Sequence, residues 1–170
     1  MNPLRASKTS REDHMQFDHL EIVGIAIEAG LSIMDIYESS GQIEVQSKDD
    51  DSPLTKADIA AHKIIIRGLA TIDPEVPVVS EEGRVGDPKQ SELAWLVDPL
   101  DGTKEFIKRN GMFTVNIALM KRLSASWKPI FGVVHAPVNR TTWYGGVDVP
   151  ATKITDAETS EISVRKQTNG

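Results

Sequence analysis

From residue 17 onward the apolar positions Leu20, Val23, Ile27, Leu31 and Met34 recur at spacings of three and four. This period predicts an amphipathic helix over 17–37, stopped by Gly41. Ile43 and Val45 then alternate with polar neighbours, predicting a short strand over 42–48. Residues 49–53, three aspartates followed by Ser52 and Pro53, read as a loop. Thr55-Lys-Ala-Asp58 has the form of a capping box ahead of an apolar run, so a second helix is expected over 55–71. A brief strand over 76–79 runs into Ser80-Glu81-Glu82-Gly83, and a polar loop spans 83–92. Further strands are expected at 93–98, 112–121, 129–136 and 141–145. Two helices followed by mostly adjacent strands predict an α+β layer of helices on an antiparallel sheet, not alternating βαβ units.

The pattern divides the chain into three stretches. Residues 1–15 are polar and expected to be a disordered extension, with Met15 an alternative start to Met1. Residues 16–146 carry the periodic segments of one domain. Residues 147–170 read as a polar tail with scattered single apolar positions.

Composition narrows the chemistry. The 170 residues suffice for one core, and the absence of cysteine excludes disulfides, thiolate metal sites and thiol nucleophiles. A formal net charge of −6 argues against binding a nucleic acid polymer, but not against a small phosphorylated substrate. The polar N-terminus lacks the apolar stretch of a signal peptide, and no run is long enough for a transmembrane segment.

The most informative residues are Trp95-Leu-Val-Asp98-Pro-Leu-Asp101-Gly-Thr103-Lys104. A buried strand ending in two nearby acids sets like charges together, which a hard cation such as Mg²⁺ would neutralise. Gly102 and Thr103 follow with backbone N–H groups suited to an anion. The competing reading is an ordinary turn, because Asp-Pro and Asp-Gly are common turn dipeptides. Asp49 to Asp51, Asp58 and Glu81-Glu82 are the other acidic elements, and each also has a plain reading as turn or cap. The four histidines show no zinc-like spacing and read as packed or solvated side chains.

Taken together, Ser52-Pro-Leu-Thr-Lys-Ala-Asp58, Val79-Ser-Glu81-Glu-Gly and the Asp98–Thr103 segment resemble the inositol monophosphatase-like family of metal-dependent, lithium-sensitive phosphatases. Lys104-Glu105-Phe106-Ile107-Lys108-Arg109-Asn110-Gly111, Phe113-Thr-Val-Asn116-Ile-Ala-Leu119 and Gly132-Val-Val-His-Ala-Pro137 resemble its 3'(2'),5'-bisphosphate nucleotidase branch.

The resemblance implies that Glu81, Asp98 and the carbonyl of Leu100 hold one Mg²⁺, with Asp98 and Asp101 holding a second. Leu100, Asp101, Gly102 and Thr103, with Glu81, would contact the substrate. Thr103, bonded towards Asp58, would help Glu81 orient and deprotonate a water, and Asp50 would assist a third metal. The implied reaction converts adenosine 3',5'-bisphosphate to AMP and phosphate, clearing a by-product of sulfate assimilation. An inositol or sugar monophosphatase is the alternative substrate reading, and an inactive metal-binding module the alternative of another class.

Members of this family carry a second α/β domain with a Trp-Asp motif, whose Asp completes the second metal site. Here Trp95, Trp127 and Trp143 precede Leu96, Lys128 and Tyr144. The chain therefore reads as C-terminally truncated, and the 170 residues alone are expected to release no phosphate. Apolar surface left by the second domain would favour self-association. The resemblance implies a cytoplasmic location, with some members of this branch assigned to the cytoplasmic face of the inner membrane, though no amphipathic basic helix or lipidation motif points there.

Overall fold

The computed structural model describes residues 17–39, 45–47, 53–124 and 126–164. The expected extension at 1–15, the stop at Gly41 and the acidic run Asp49 to Asp51 lie outside the described residues. Helix α1 spans His19–Glu38 and starts at Asp18, whose side chain accepts from the Leu20 N–H at 2.9 Å. Its buried face is Ile22, Val23, Ala26, Ala29, Gly30 and Ile33. The apolar stripe predicted from spacing is therefore rotated, since Leu20 and Leu31 are 56% and 63% exposed. Small residues explain the shift. Ala26, Ala29 and Gly30 let the backbone approach its neighbours closely, and a tally of large apolar residues overlooks them.

Two short strands, β1 (Val45–Ser47) and β2 (Pro53–Thr55), pair antiparallel before helix α2 (Lys56–Ile72). The capping box is present, with Thr55 and Asp58 bonded reciprocally. Ala57, Asp58, Ala61, Ile65 and Leu69 form the buried face of α2. Beyond it lie β3 (Val78–Ser80), β4 (Gly83–Val85), β5 (Leu93–Asp101) and the single-turn helix α3 (Thr103–Ile107). The meander β6 (Thr114–Leu123), β7 (Ser126–Ala136), β8 (Thr141–Gly146), β9 (Val149–Ile154) and β10 (Thr159–Glu161) completes the sheet.

The main sheet has eight strands in the order β10-β9-β8-β7-β6-β5-β3-β4. Every pairing is antiparallel except β3 with β5. The α+β architecture expected from the element order is what forms. Two details differ from expectation. Residues 83–92 contain strand β4 and a 3₁₀ turn at Pro88–Gln90. The stretch after Gly146, read as a polar tail, continues the sheet through β9 and β10. β10 forms the edge and is largely exposed, and the buried position of β9 is the polar Thr152, so neither shows the apolar alternation that marks a half-buried strand.

Both helices pack on one face of the sheet, α1 against β6, β7 and β8 and α2 against β5. Strand alternation sends Trp95, Val97, Val115, Ile117, Leu119, Phe131 and Val133 into this core, all at most 3% exposed. Leu96 and Val134 point to the other face, which no helix among the described residues covers, and are 49% and 40% exposed.

The seat of α1 on the sheet rests on Gly30. A Cβ there would lie 2.5 Å from His135 Cδ2, and that ring is held by a 2.9 Å bond between Nδ1 and Thr142 Oγ1. Overpacking costs about 1–3 kcal/mol, more than the roughly 1 kcal/mol gained in helix propensity. Gly30→Ala is therefore expected to lower the thermal midpoint by a few degrees in calorimetry. An unchanged or higher midpoint would contradict this seating.

Candidate metal centre

The site begins with the parallel pairing. Ser80 stands opposite Val97, so the next residues, Glu81 and Asp98, leave neighbouring strand ends side by side. Strands sit about 4.8 Å apart, within reach of two carboxylates. The Glu81 N–H donates to the Val97 carbonyl at 3.1 Å and fixes this junction. Alternation then divides the roles at the end of β3. Ser80 turns inward towards α2, and Glu81 turns outward beside Asp98.

A bulge brings in the third acid. Between Asp98, paired with Asn116, and Asp101, paired with Thr114, β5 has one residue more than β6. In a regular strand, residues three apart face opposite sides. The extra residue returns Asp101 to the side of Asp98. Pro99 suits this place, because a bulge leaves a residue without a ladder bond and proline has no N–H to offer. The Asn116 Nδ2 donates to Asp101 Oδ2 at 3.1 Å, and Asn116 accepts from the Thr114 hydroxyl at 3.1 Å.

The chain leaves β5 through Gly102, with φ of 96°. A Cβ there would sit 2.8 Å from the Met112 carbonyl oxygen, so both backbone conformation and space require glycine. The Thr103 hydroxyl lies 3.2 Å from both Asp58 Oδ1 and the Leu100 carbonyl oxygen. Asp58 is 1% exposed and accepts from the Thr55 N–H at 2.8 Å and the Thr55 hydroxyl at 2.5 Å. This buried carboxylate is therefore both helix cap and link to the Asp98–Thr103 turn. Its charge is tolerated because three donors satisfy it.

Electrostatics single out Asp98. Burial, then the charges of Glu81 and Asp101, then a hydrogen bond with Glu81 push its carboxyl up to about 7, against a backbone N–H of Leu100 that favours the anion. Its Oδ1 is buried and has no hydrogen-bond partner among the described residues. A divalent cation would answer both features, meeting the orphaned oxygen and replacing the proton that the crowded acids otherwise share. Among the described residues no three His, Cys, Asp or Glu side chains suffice to enclose a metal. Mg²⁺ suits such an incomplete set, since it keeps several waters and takes one or two carboxylates together with substrate oxygens.

The structure thus brings together Glu81, Asp98, Leu100, Asp101, Gly102, Thr103 and Asp58. Asp50 lies outside the described residues. Sequence reasoning missed three supporting residues. Asn116 belongs to the site only through strand register. Ser80 and His62 are joined by a 2.9 Å contact between His62 Nδ1 and Ser80 Oγ. From the sequence His62 reads as a packed or solvated side chain, and only its position one turn after Asp58 hints otherwise. Its burial holds the imidazole below its ordinary value against the pull of Glu82. From the acids, a groove of about 510 Å³ runs over the outer sheet face past Leu96, Ala118 and Val134.

The inositol monophosphatase family pattern matches residues 16–168, and the chain belongs to that family. Among its relatives, the 3'(2'),5'-bisphosphate nucleotidase CysQ of Salmonella typhimurium is 46% identical over 153 residues, covering 86% of this chain and 56% of that protein. The Escherichia coli K12 protein of the same name is 49% identical over 149 residues, with the same coverage. The chain thus spans just over half the length of these curated relatives. Among solved structures, CysQ from Bacteroides thetaiotaomicron aligns with a TM-score of 0.64 at 36% identity, over 88% of this chain and 51% of that one. The extragenic suppressor protein suhB from Bartonella henselae aligns with a TM-score of 0.71 at 27% identity, over 86% and 54%.

The raised Asp98 value has a sign that can be measured. The folded protein keeps a proton up to about pH 7, whereas the unfolded chain releases it near the ordinary value of 3.8. The folded state therefore binds more protons, and this site's contribution to stability is lost as pH rises from about 4 through about 7. With Mg²⁺ withheld, Asp98→Asn is expected to melt a few degrees above the parent at pH 8, and the advantage should vanish at pH 4. Saturating Mg²⁺ should reverse the order at pH 8 by stabilising only the parent. A metal-free variant that melts below the parent at pH 8 would refute this account.

Proposed function

We propose that this chain carries the metal- and phosphate-binding part of a Mg²⁺-dependent phosphatase acting on a 3'(2'),5'-bisphosphate nucleotide. The observation that carries the reading is Asp98, crowded by Glu81 and Asp101 and left with an orphaned buried oxygen. Support for the substrate class comes from the names of the relatives and from Lys104-Glu105 directly after the Asp98–Thr103 turn. A cation held there would lower the pKa of a water and stabilise the departing alkoxide.

The chain's own residues divide the remaining work. Glu81, Asp98 and the Leu100 carbonyl supply oxygens for one cation, and Asp98 and Asp101 for a second. The backbone at Gly102 and Thr103 faces the substrate phosphate. Thr103, bonded towards buried Asp58, helps Glu81 orient the attacking water, whose proton the Glu81 carboxylate takes. Asn116 holds the exposed Asp101 carboxylate by donating to its Oδ2. In this reading the described residues form one unit with the ordered sheet, AMP is the product, the place of work is the cytoplasm, and the role is disposal of a by-product of sulfate assimilation. The exposed face around Leu96 and Val134 is the surface through which the chain, taken alone, self-associates.

Calorimetric titration of Mg²⁺ tests the reading, with phosphate release followed in parallel. Mg²⁺ binding is expected to disappear in Asp98→Asn. Adenosine 3',5'-bisphosphate should tighten Mg²⁺ about tenfold, because ligand and metal affinities are reciprocally linked, and inositol 1-phosphate should do so far less. Release of phosphate that depends on Asp98 would show the site to be sufficient without a further carboxylate. Absent Mg²⁺ binding would overturn the metal site, and equal effects of both phosphates would overturn the substrate class.

A further inference from the structure

Helix α2 meets the candidate site twice on one face. Asp58 reaches the Thr103 hydroxyl, and His62, one turn on, reaches Ser80 Oγ at 2.9 Å. Ser80 is 8% exposed and immediately precedes Glu81, at the place where alternation turns one side chain inward and the next towards the acids. Its oxygen also accepts from the Glu82 N–H at 3.3 Å. The Ser80 hydroxyl therefore closes the turn that contains Glu81 while its other contact ties that turn to α2. The simplest satisfied network has Ser80 donating its proton to His62 Nδ1, with the imidazole proton on Nε2; this tautomer is assigned from the partners.

Resting on the metal-site reading above, we infer that His62 is a positioning residue: through Ser80 Oγ it fixes the end of β3 and thereby the place of the Glu81 carboxylate beside Asp98. β3 is only three residues long, and its outer neighbour β4 is exposed throughout. Ser80 pairs with Val97 of β5 and with Gly83 of β4, and the Glu81 N–H bonds to Val97, so the sheet holds the backbone of this turn. The contact from His62 ties the same turn to a long helix in another layer. One helical face then sets both walls of the site, Thr103 through Asp58 and Glu81 through His62. Partners of this kind hold ligands in geometry, and their loss typically weakens metal affinity 10- to 100-fold.

The test is titration of this chain with Mn²⁺, a paramagnetic stand-in for Mg²⁺, followed by electron paramagnetic resonance and accompanied by metal-free thermal melts. His62→Leu and Ser80→Ala are each expected to weaken Mn²⁺ roughly tenfold, with metal-free midpoints within a few degrees of the parent. The double variant should be no weaker than the worse single, because both break the same contact. His62→Asn, whose amide can occupy the place of Nδ1, should recover most of the affinity. Unchanged Mn²⁺ affinity in the folded single variants, or fully additive losses, would overturn the role of His62. Should His62→Leu fail to fold, Ser80→Ala decides by the same readout. Parent protein lacking Asp98-dependent Mn²⁺ binding would instead overturn the metal-site reading, and this inference with it.

Discussion

Glu81 and Asp98 come together because one pair of strands runs parallel in an otherwise antiparallel sheet. Antiparallel neighbours would place the end of one strand beside the start of the next. Parallel neighbours finish at the same edge, so the acids that follow β3 and β5 finish there too. Achieving this needs a crossover, and the chain makes it through β4 and the 3₁₀ turn on its way back to β5. The charge conflict that defines the site follows directly from this connection. Hydrophobic burial of Trp95 and Val97 beneath helix α2 holds β5 in register against the repulsion at its end.

The bulge in β5 and the glycine after it convert a strand end into a site. One extra residue puts Asp101 on the side of Asp98, and Gly102 provides the left-handed turn that sends Thr103 back towards Asp58. Asp58 shows how an ordinary device of folding can serve a second purpose. Its capping bonds to Thr55 fix the start of α2, and the same buried carboxylate receives the Thr103 hydroxyl. Helix position, turn geometry and acid placement are thereby coupled. A disturbance in the α2 cap would travel to the site without touching Glu81, Asp98 or Asp101.

Much of this was legible in the sequence. The cap at Thr55 and Asp58, the apolar run into Asp98 and the glycine at 102 are local signals, each set by residues within a few positions of one another. Family resemblance added the grouping of Glu81 with Asp98 and of Thr103 with Asp58, contacts that periodicity could not supply. The face of α1 was misjudged because Ala26, Ala29 and Gly30 carry little hydrophobic weight yet allow the closest packing. β9 and β10 give no clear pattern because β10 is a largely exposed edge and the buried position of β9 is a threonine.

By itself, then, the sequence determined the helices, the central strands, the acidic turn and the chemistry that such a turn favours, since these depend on short-range spacing and residue type. Tertiary structure alone decided that β3 lies parallel to β5, that Asn116 stands opposite Asp98 and holds Asp101, and that His62 meets Ser80. Those are contacts between residues far apart in the chain. Their register is fixed by which faces can be buried together, and no local pattern encodes it.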